Sequence, residues 1–160
     1  MLFSKQEKTL LSVCTGECVP LSEMPDEAFS SGILGDGVAI RPATGQFFSP
    51  CDGVVEGVSE EGHAYTLRSA DGLELLIHIG VDTVSLKGKG FRPLVHSGDP
   101  ISAGAPIAEV KLEEIEGHGL PTVTALLISN PEITKTIEYR YGSLKGGSDA
   151  ALVYRIGRKG

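Results

Sequence analysis

Turn-forming residues interrupt this chain about every ten residues, and this spacing restricts the fold more than any other feature. The 160 residues include 21 glycines and 9 prolines without a collagen-like period. Short strand-like runs lie between the turns, which is the pattern of an all-β sandwich or barrel. We therefore predict an all-β sandwich or barrel with only one or two short helical turns.

Eight of these runs are predicted to be strands. They span residues 37–41, 46–48, 53–58, 63–69, 73–79, 107–110, 123–128 and 151–156. Helical turns are predicted at 112–116 and 131–136, the second because Asn130 is a good N-cap residue and is followed by proline. Residues 1–10 are expected to be a flexible N-terminus, and residues 11–160 to form a single domain.

The composition excludes several functional classes. The formal net charge is −7 and no basic patch is present, which argues against binding to nucleic acid or to anionic membranes. No apolar run approaches the ~18 residues that a membrane span requires, and the N-terminus lacks the features of a signal peptide. We expect a cytoplasmic protein that binds no nucleic acid and does not insert into a membrane.

The three cysteines do not suggest a metal site or a disulfide framework. Cys14 and Cys18 form a single C-x₃-C pair without the second pair that a tetrahedral zinc site needs. Cys51 stands in a turn-like SPCDG segment. All three are predicted to be small, half-buried core residues that remain reduced in the cytoplasm.

One histidine stands in a largely apolar strand, LELLIHIG (73–80). Alternation along a strand would turn Leu75, Ile77 and Ile79 toward the core. His78 would then point to the other face, beside Leu76. A histidine next to an exposed leucine indicates a docking surface rather than a core position.

A second histidine is expected beside the first. Asp71-Gly72, between two strand-like runs, is a strong hairpin signal. A loop of two residues makes His63 a diagonal neighbour of His78, and a loop of four residues places the two directly opposite each other. Only a loop of odd length would separate them across the sheet.

Two adjacent imidazoles can bind a metal, act as an acid–base pair or handle a phosphoryl group. His78 and Asp82 fit the H-x₃-D element of lysostaphin-like zinc peptidases, but those enzymes also need an H-x-H pair. None of His63, His78, His96 or His118 belongs to such a pair. No dedicated metal site is predicted, although the two histidines could take up zinc adventitiously. Spacing alone leaves the choice between metal and phosphate open.

Six segments, in order, carry a resemblance to a known family. They are GILGDGVAIRP (32–42), SPCDGVV (49–55), GHAYTL (62–67), LELLIHIGVDTVSLKGKGF (73–91), SGDPISAG (97–104) and LLISN (126–130). Together they closely resemble the IIA domain of the glucose class, which includes glucose, β-glucoside and sucrose types, in the bacterial phosphoenolpyruvate:sugar phosphotransferase system. The resemblance covers residues 12–157. It implies an antiparallel β-sandwich or barrel, built from a duplicated hybrid motif, with a shallow active-site depression.

The resemblance also implies roles for individual residues. His78 matches the histidine that accepts a phosphoryl group, through Nε2, from the phosphohistidine of the carrier protein HPr. His63 matches the histidine that touches the phosphoryl oxygens. Asp36 and Asp82 match carboxylates that flank the depression, and Leu76 stands on its apolar rim. The phosphoryl group then passes to a cysteine on the IIB domain of a sugar permease, and no cofactor is implied.

The sequence departs from the family at Leu76, where an aromatic residue can occur, at Cys51, where an aliphatic residue is common, and beside the second histidine. The family often has a threonine two residues before the second histidine, where this chain has Glu61. The extra carboxylate is expected to raise a histidine pKa. Two other functions remain possible: a regulatory binding module controlled by phosphorylation, and a zinc-dependent hydrolase, which would need a third zinc ligand. His96 and His118 are expected to be surface residues.

Overall fold

The computed structural model of the protein describes residues 7–157. Within that range the chain forms two short α-helices, three 3₁₀ turns and fourteen β-strands. The helices are α1 (Glu27–Ser30) and α2 (Leu112–Gly117), and the 3₁₀ turns are Leu21–Glu23, Thr83–Leu86 and Pro131–Ile133. The strands are β1 (Lys8–Leu11), β2 (Gly16–Pro20), β3 (Asp36–Pro42), β4 (Gln46–Phe48), β5 (Gly53–Val58), β6 (Ala64–Ser69), β7 (Glu74–His78), β8 (Phe91–Pro93), β9 (Pro100–Ile101), β10 (Pro106–Val110), β11 (Thr124–Ile128), β12 (Thr134–Tyr139), β13 (Gly142–Leu144) and β14 (Ala150–Ile156).

The strands pair into three antiparallel sheets. The largest has eight strands in the order β13-β2-β3-β11-β7-β6-β5-β9. Two smaller sheets have the orders β1-β14-β12 and β4-β10-β8. Every pairing between neighbouring strands in these sheets is antiparallel. The prediction of an antiparallel all-β fold with little helix is confirmed.

The eight predicted strands are all present, with ends that differ from the prediction by no more than one residue. The predicted helical turn at 131–136 is wrong in its second half, because residues 134–136 belong to β12. That strand carries alternating β-branched residues and pairs with β14, which satisfies its backbone groups. The predicted flexible segment 1–10 extends too far, since Leu10 in β1 is completely buried. The rest of that prediction, for residues 1–6, lies outside the described residues.

Apolar side chains pack on both faces of the large sheet. The main core lies between the sheets and includes Val38, Ile40, Leu75, Ile77 and Leu126. A second, smaller cluster covers the other face of the central strands, and we call it the outer cluster. Its buried members are Val19, Met24, Phe29, Ala39, Val81, Val123, Ala125 and Leu127. The central strand β11 is therefore buried on both faces.

The three cysteines are free thiols, and each is buried. They were predicted to be half-buried, and the packing covers them more completely than that. Burial raises the pKa of Cys18 to about 11 and, together with nearby carboxylates, that of Cys51 to about 12. The pKa of Cys14 is also raised by burial. The thiols are therefore protonated at neutral pH.

Among residues 7–157, no helix is both long enough and apolar enough to span a membrane.

Candidate functional site

His78 ends strand β7, and the alternation of that strand sets its direction. Leu75 and Ile77 point into the main core and are almost fully buried. Leu76 and His78 lie on the opposite face and are half-buried. Leu76 packs against the outer cluster, so it is less exposed than the sequence suggested. The predicted directions of the side chains along this strand are confirmed.

The carbonyl group of Gly80 determines where the proton lies on the His78 ring. Nδ1 of His78 is 2.8 Å from that carbonyl oxygen. A carbonyl only accepts hydrogen bonds, so Nδ1 carries the proton and Nε2 of the neutral ring keeps an unshared electron pair. Gly80 has a left-handed φ of 77°. A Cβ atom there would lie 2.5 Å from Cγ2 of Thr83, so this turn requires glycine.

His63 lies where the ladder between β6 and β7 opens. Its carbonyl accepts the N–H of Ile79 at 2.8 Å, but its own N–H donates to Oγ of Ser59 at 3.1 Å. The carbonyl of Ile79 instead accepts the hydroxyl of Thr83 at 2.6 Å. The backbone at His63 therefore departs from regular pairing. The direction of the His63 side chain is for this reason not set by the alternation of side chains along β6.

The structure brings the two imidazoles together. Their ring centroids are 5.1 Å apart, and the ring planes meet at 82°, an edge-to-face arrangement. Two phenylalanines border the pair. The ring centroid of Phe29 is 5.0 Å from that of His78, and the ring centroid of Phe91 is 6.5 Å from that of His63. The result is a site of two imidazoles bordered by aromatic rings.

The predicted register of the hairpin is wrong, although the histidines still meet. Ala64, not His63, pairs with His78, which corresponds to a loop of three residues between Ser69 and Leu73. The side chain of Ser69 accounts for this length, because its hydroxyl oxygen accepts the N–H of Leu73 at 2.8 Å. An odd loop should have separated the two rings. They meet because His63 lies beyond the last regular pair of the ladder.

Burial lowers the pKa of both histidines. For His78 the burial effect is opposed by the hydrogen bond to Gly80 and by the carboxylates of Asp26 and Asp82. For His63 burial and the neighbouring His78 lower the pKa, and Glu61 opposes them. The expected effect of Glu61 is present in direction but is outweighed. Both rings therefore remain neutral to a lower pH than a free imidazole does.

Asp82 and Asp26 are the carboxylates on the His78 side of the site. Asp82 is exposed, precedes the 3₁₀ turn Thr83–Leu86 and has a left-handed φ of 61°, which aspartate tolerates better than most residues. Asp26 caps helix α1 by accepting the N–H of Ala28 at 2.8 Å. The cap orients the short helix that carries Phe29.

Asp36 is not brought to the histidine pair. Through strand pairing it aligns with Leu75, three residues from His78 and two strands away, a separation of about 14 Å between Cα atoms. Its carboxylate accepts the hydroxyl of Tyr139 at 2.5 Å. The implied role of Asp36 in partner docking remains a prediction, and any such contact would be at a distance from the imidazoles.

The other two histidines are exposed, as expected. Nδ1 of His118 contacts the carbonyl of Glu114 at 2.8 Å, and His96 lies in an exposed turn. Among residues 7–157, no group of three or more histidine, cysteine, aspartate or glutamate side chains is arranged to hold a metal ion. The third protein ligand that a zinc hydrolase requires is not found in that part of the chain.

Comparison with known proteins identifies the family. A family model described as phosphoenolpyruvate-dependent sugar phosphotransferase system, EIIA 1, matches residues 8–133. The chain belongs to this EIIA family. The glucose-specific EIIA component of Borreliella burgdorferi is 33% identical over 152 residues, which cover 94% of this chain and 80% of that protein. The solved structure of the glucose permease IIA from Mycoplasma capricolum superposes with a TM-score of 0.88 at 31% identity, covering 95% of this chain and 99% of that one.

Some EIIA relatives are much longer than this chain. The glucose-specific EIICBA component of Staphylococcus carnosus is 44% identical over 138 residues, or 86% of this chain. The matched region is only 20% of that protein's length. In such relatives the EIIA sequence is one part of a larger polypeptide.

Proposed function

We propose that this EIIA chain relays phosphoryl groups in sugar uptake. It accepts a phosphoryl group on Nε2 of His78 from the phosphohistidine of HPr and passes it to a cysteine on the IIB domain of a sugar permease. One observation carries the proposal: Nε2 of a half-buried, neutral histidine is left without a proton, and a second imidazole lies 5.1 Å away, ring centroid to ring centroid.

The transfer balances without a cofactor. The electron pair on Nε2 of His78 forms the new N–P bond, and the N–P bond of the donor breaks, so that its electron pair returns to the donor ring. The proton on Nδ1 of His78 stays in its hydrogen bond to the Gly80 carbonyl. In the onward step a thiolate of the acceptor attacks phosphorus, and the bond to Nε2 breaks. No proton has to leave His78 in either direction.

The surroundings of His78 suit such a nucleophile. Burial lowers its pKa, so the ring is neutral and nucleophilic at pH 7. The transition state of phosphoryl transfer is loose and needs mainly positioning and hydrogen-bond donors for its oxygens. His63 is proposed to supply one such donor. The aromatic rings of Phe29 and Phe91 lower the polarity beside the transferring group, which strengthens that contact.

The face around His78 suits protein partners. Leu76 is half-buried, and Val84 in the adjacent 3₁₀ turn is exposed. Asp82 lies on this face, and its side chain is exposed. An apolar patch with acidic residues at its edge favours a partner that presents apolar and cationic side chains.

A phosphorylation assay tests the proposal. Incubation of the chain with phosphoenolpyruvate, Enzyme I and HPr should add one phosphoryl group, seen as a single mass increment. The product should be labile in acid and stable in base, as expected for phosphohistidine. Omission of HPr serves as the control. If no phosphoryl group is taken up from phospho-HPr, the proposal is wrong.

Replacing Asp82 with lysine should slow phosphoryl uptake from HPr, chiefly through slower association. A reversed charge at the docking face should reduce the association rate by about tenfold at low salt, with the defect shrinking as salt rises. Asp82→Asn, which suits the left-handed backbone better, should show a smaller defect in the same direction. The measurement is the uptake rate at several ionic strengths.

Glu132→Lys is the matched control for charge. Glu132 is exposed and lies two residues after Asn130, whose side chain accepts the N–H of Glu74 at the end of β7 opposite to His78. The Glu132→Lys substitution changes the net charge by the same amount as Asp82→Lys and should leave phosphoryl uptake near the parent rate. Equal uptake rates for Asp82→Lys and the parent at all salt concentrations would show that Asp82 takes no part in docking HPr.

A further inference from the structure

We infer that Ser59 is a positioning residue that holds His63 in the tautomer with its proton on Nε2. The inference rests on the proposed phosphoryl transfer for its functional consequence, but its geometric basis is independent. Oγ of Ser59 has three contacts within the turn that leads into β6. It is 3.1 Å from the backbone nitrogen of His63, 3.1 Å from that of Ala64, and 3.2 Å from Nδ1 of His63.

The hydrogen-bond capacity of a hydroxyl group decides the direction of each contact. A serine hydroxyl has one proton to donate and two electron pairs to accept with. Backbone N–H groups only donate, so the N–H groups of His63 and Ala64 occupy both electron pairs of Ser59 Oγ. The one remaining capacity of the hydroxyl is its proton, which must point at Nδ1 of His63. Nδ1 then accepts, and the proton of the neutral ring is on Nε2.

The turn holds Ser59 in place for this purpose. The N–H of Ser59 donates to the carbonyl of Ala64 at 2.9 Å, and the carbonyl of Ser59 accepts the N–H of Gly62 at 2.9 Å. Gly62 has a φ of 81°, and a Cβ atom there would lie 2.9 Å from Cγ of Pro93. The backbone N–H and the carbonyl of Ser59 are therefore both held within a closed turn. This holds the side chain of Ser59 beside the His63 ring.

The two rings consequently carry complementary protons. His78 has its proton on Nδ1, held by Gly80, and an unshared electron pair on Nε2. His63 has its proton on Nε2 and accepts at Nδ1. A phosphoryl group on Nε2 of His78 would thus face an N–H donor on the neighbouring ring. The opposite tautomer of His63 would present an electron pair to the phosphoryl oxygens, which is repulsive.

Glu61 does not provide the same control. Its Oε1 is 4.0 Å from Nδ1 of His63, beyond hydrogen-bond distance. A carboxylate also has no proton to donate, so a direct contact would favour a proton on Nδ1 instead. Ser59 and Glu61 therefore act on the same ring nitrogen in opposite directions, and the hydroxyl has the shorter contact.

The test uses the full chain and compares three variants at position 59 with the parent protein. Ser59→Thr keeps the hydroxyl group. Ser59→Asp keeps an acceptor for the two backbone N–H groups, as aspartate commonly does in such turns, but has no proton for Nδ1. Ser59→Ala removes both functions. Ser97→Ala is the control, since it removes a serine hydroxyl from a different loop, where Ser97 donates to the backbone carbonyl of Glu56.

The first measurement is the ¹⁵N spectrum of the imidazole nitrogens in the unphosphorylated proteins, above the pH at which the rings protonate. It reports which ring nitrogen carries the proton and needs no phosphoryl transfer. We expect the proton of His63 on Nε2 in the parent, Ser59→Thr and Ser97→Ala, and on Nδ1 in Ser59→Asp. A parent protein with the proton of His63 on Nδ1 would overturn the inference, whatever the outcome of the phosphorylation assay. So would a Ser59→Asp protein that keeps it on Nε2.

The second measurement is the rate of phosphoryl uptake from phospho-HPr. Ser59→Asp should be slower than the parent by about 10²-fold, the usual effect of losing one preorganised donor, and Ser59→Thr should remain close to the parent. A Ser59→Asp protein with an inverted tautomer but the parent rate would contradict the positioning role. Failure of the parent itself to accept a phosphoryl group would refute the proposed function and leave the tautomer result standing.

Discussion

Substitution of His78 by alanine is expected to abolish phosphoryl acceptance, with a loss of about 10⁴-fold or more, as when other covalent nucleophiles are removed. The physical reason is that Nε2 of this ring is the nitrogen with a free electron pair, since Nδ1 donates to the carbonyl of Gly80. The measurement is the phosphoryl content of the variant after incubation with phosphoenolpyruvate, Enzyme I and HPr, read by mass spectrometry.

His96→Ala is the matched control for this experiment. The side chain of His96 is 90% exposed and lies in the loop before β9, so its removal should leave acceptance at the parent level. Circular dichroism should show that His78→Ala remains folded, because His78 is only half-buried and ends its strand. Phosphohistidine that persists in His78→Ala and disappears in a His63 variant would transfer the role of acceptor to His63.

The second large effect is expected at His63, where two substitutions should separate acceptance from delivery. His63→Ala removes the donor and should slow acceptance by about 10²- to 10³-fold. His63→Gln keeps an N–H donor of similar reach, so acceptance should be slower than in the parent but faster than in His63→Ala. Delivery from His63→Gln to IIB should suffer more, because an amide cannot change its charge as the phosphoryl group leaves.

The two steps can be measured separately. Acceptance is followed with phospho-HPr alone, and delivery by adding IIB to the purified phosphoprotein. His63→Gln should accumulate as phosphoprotein in the complete system, whereas the parent turns over. If His63→Gln relays at the parent rate in both steps, His63 is only a neighbour of His78 in the sheet and has no part in transfer.

Most of the strands that the sequence predicted well share one property, the three-residue β4 being the exception. Runs such as β5, β7 and β11 are long enough to show either alternation or continuous apolar character, and glycine or proline bounds them. The six strands that were missed include β9, with two residues, and β8 and β13, with three each. A run of two or three residues has no measurable period, so only pairing with neighbours defines it. The four-residue helix α1 was missed for the same reason.

The candidate site could be predicted in part. The direction of His78 follows from the strand pattern, but the register does not follow from the hairpin signal, because the length of the loop depends on a side-chain contact of Ser69. With this loop, alternation alone would have separated the two histidines. Asp26, Phe29 and Ser59 were not found. Asp26 is a recognisable N-cap residue type, yet nothing in its own segment indicates that α1 packs beside β7. Ser59 shows its role only through three contacts that depend on the closed turn.

The burial of the three thiols has a consequence for chemical competition. A protein that hands a phosphoryl group to another protein's thiolate must not offer a rival acceptor of the same kind. Here Cys14, Cys18 and Cys51 are buried, and burial keeps their protons on. They are thus poor nucleophiles, inaccessible to a phosphorylated partner and unable to form a mixed disulfide with the acceptor cysteine while the chain is folded. In the relay that we propose, the reactive thiolate is supplied by the partner alone, because packing in the main core keeps the chain's own thiols protonated and out of contact with the partner.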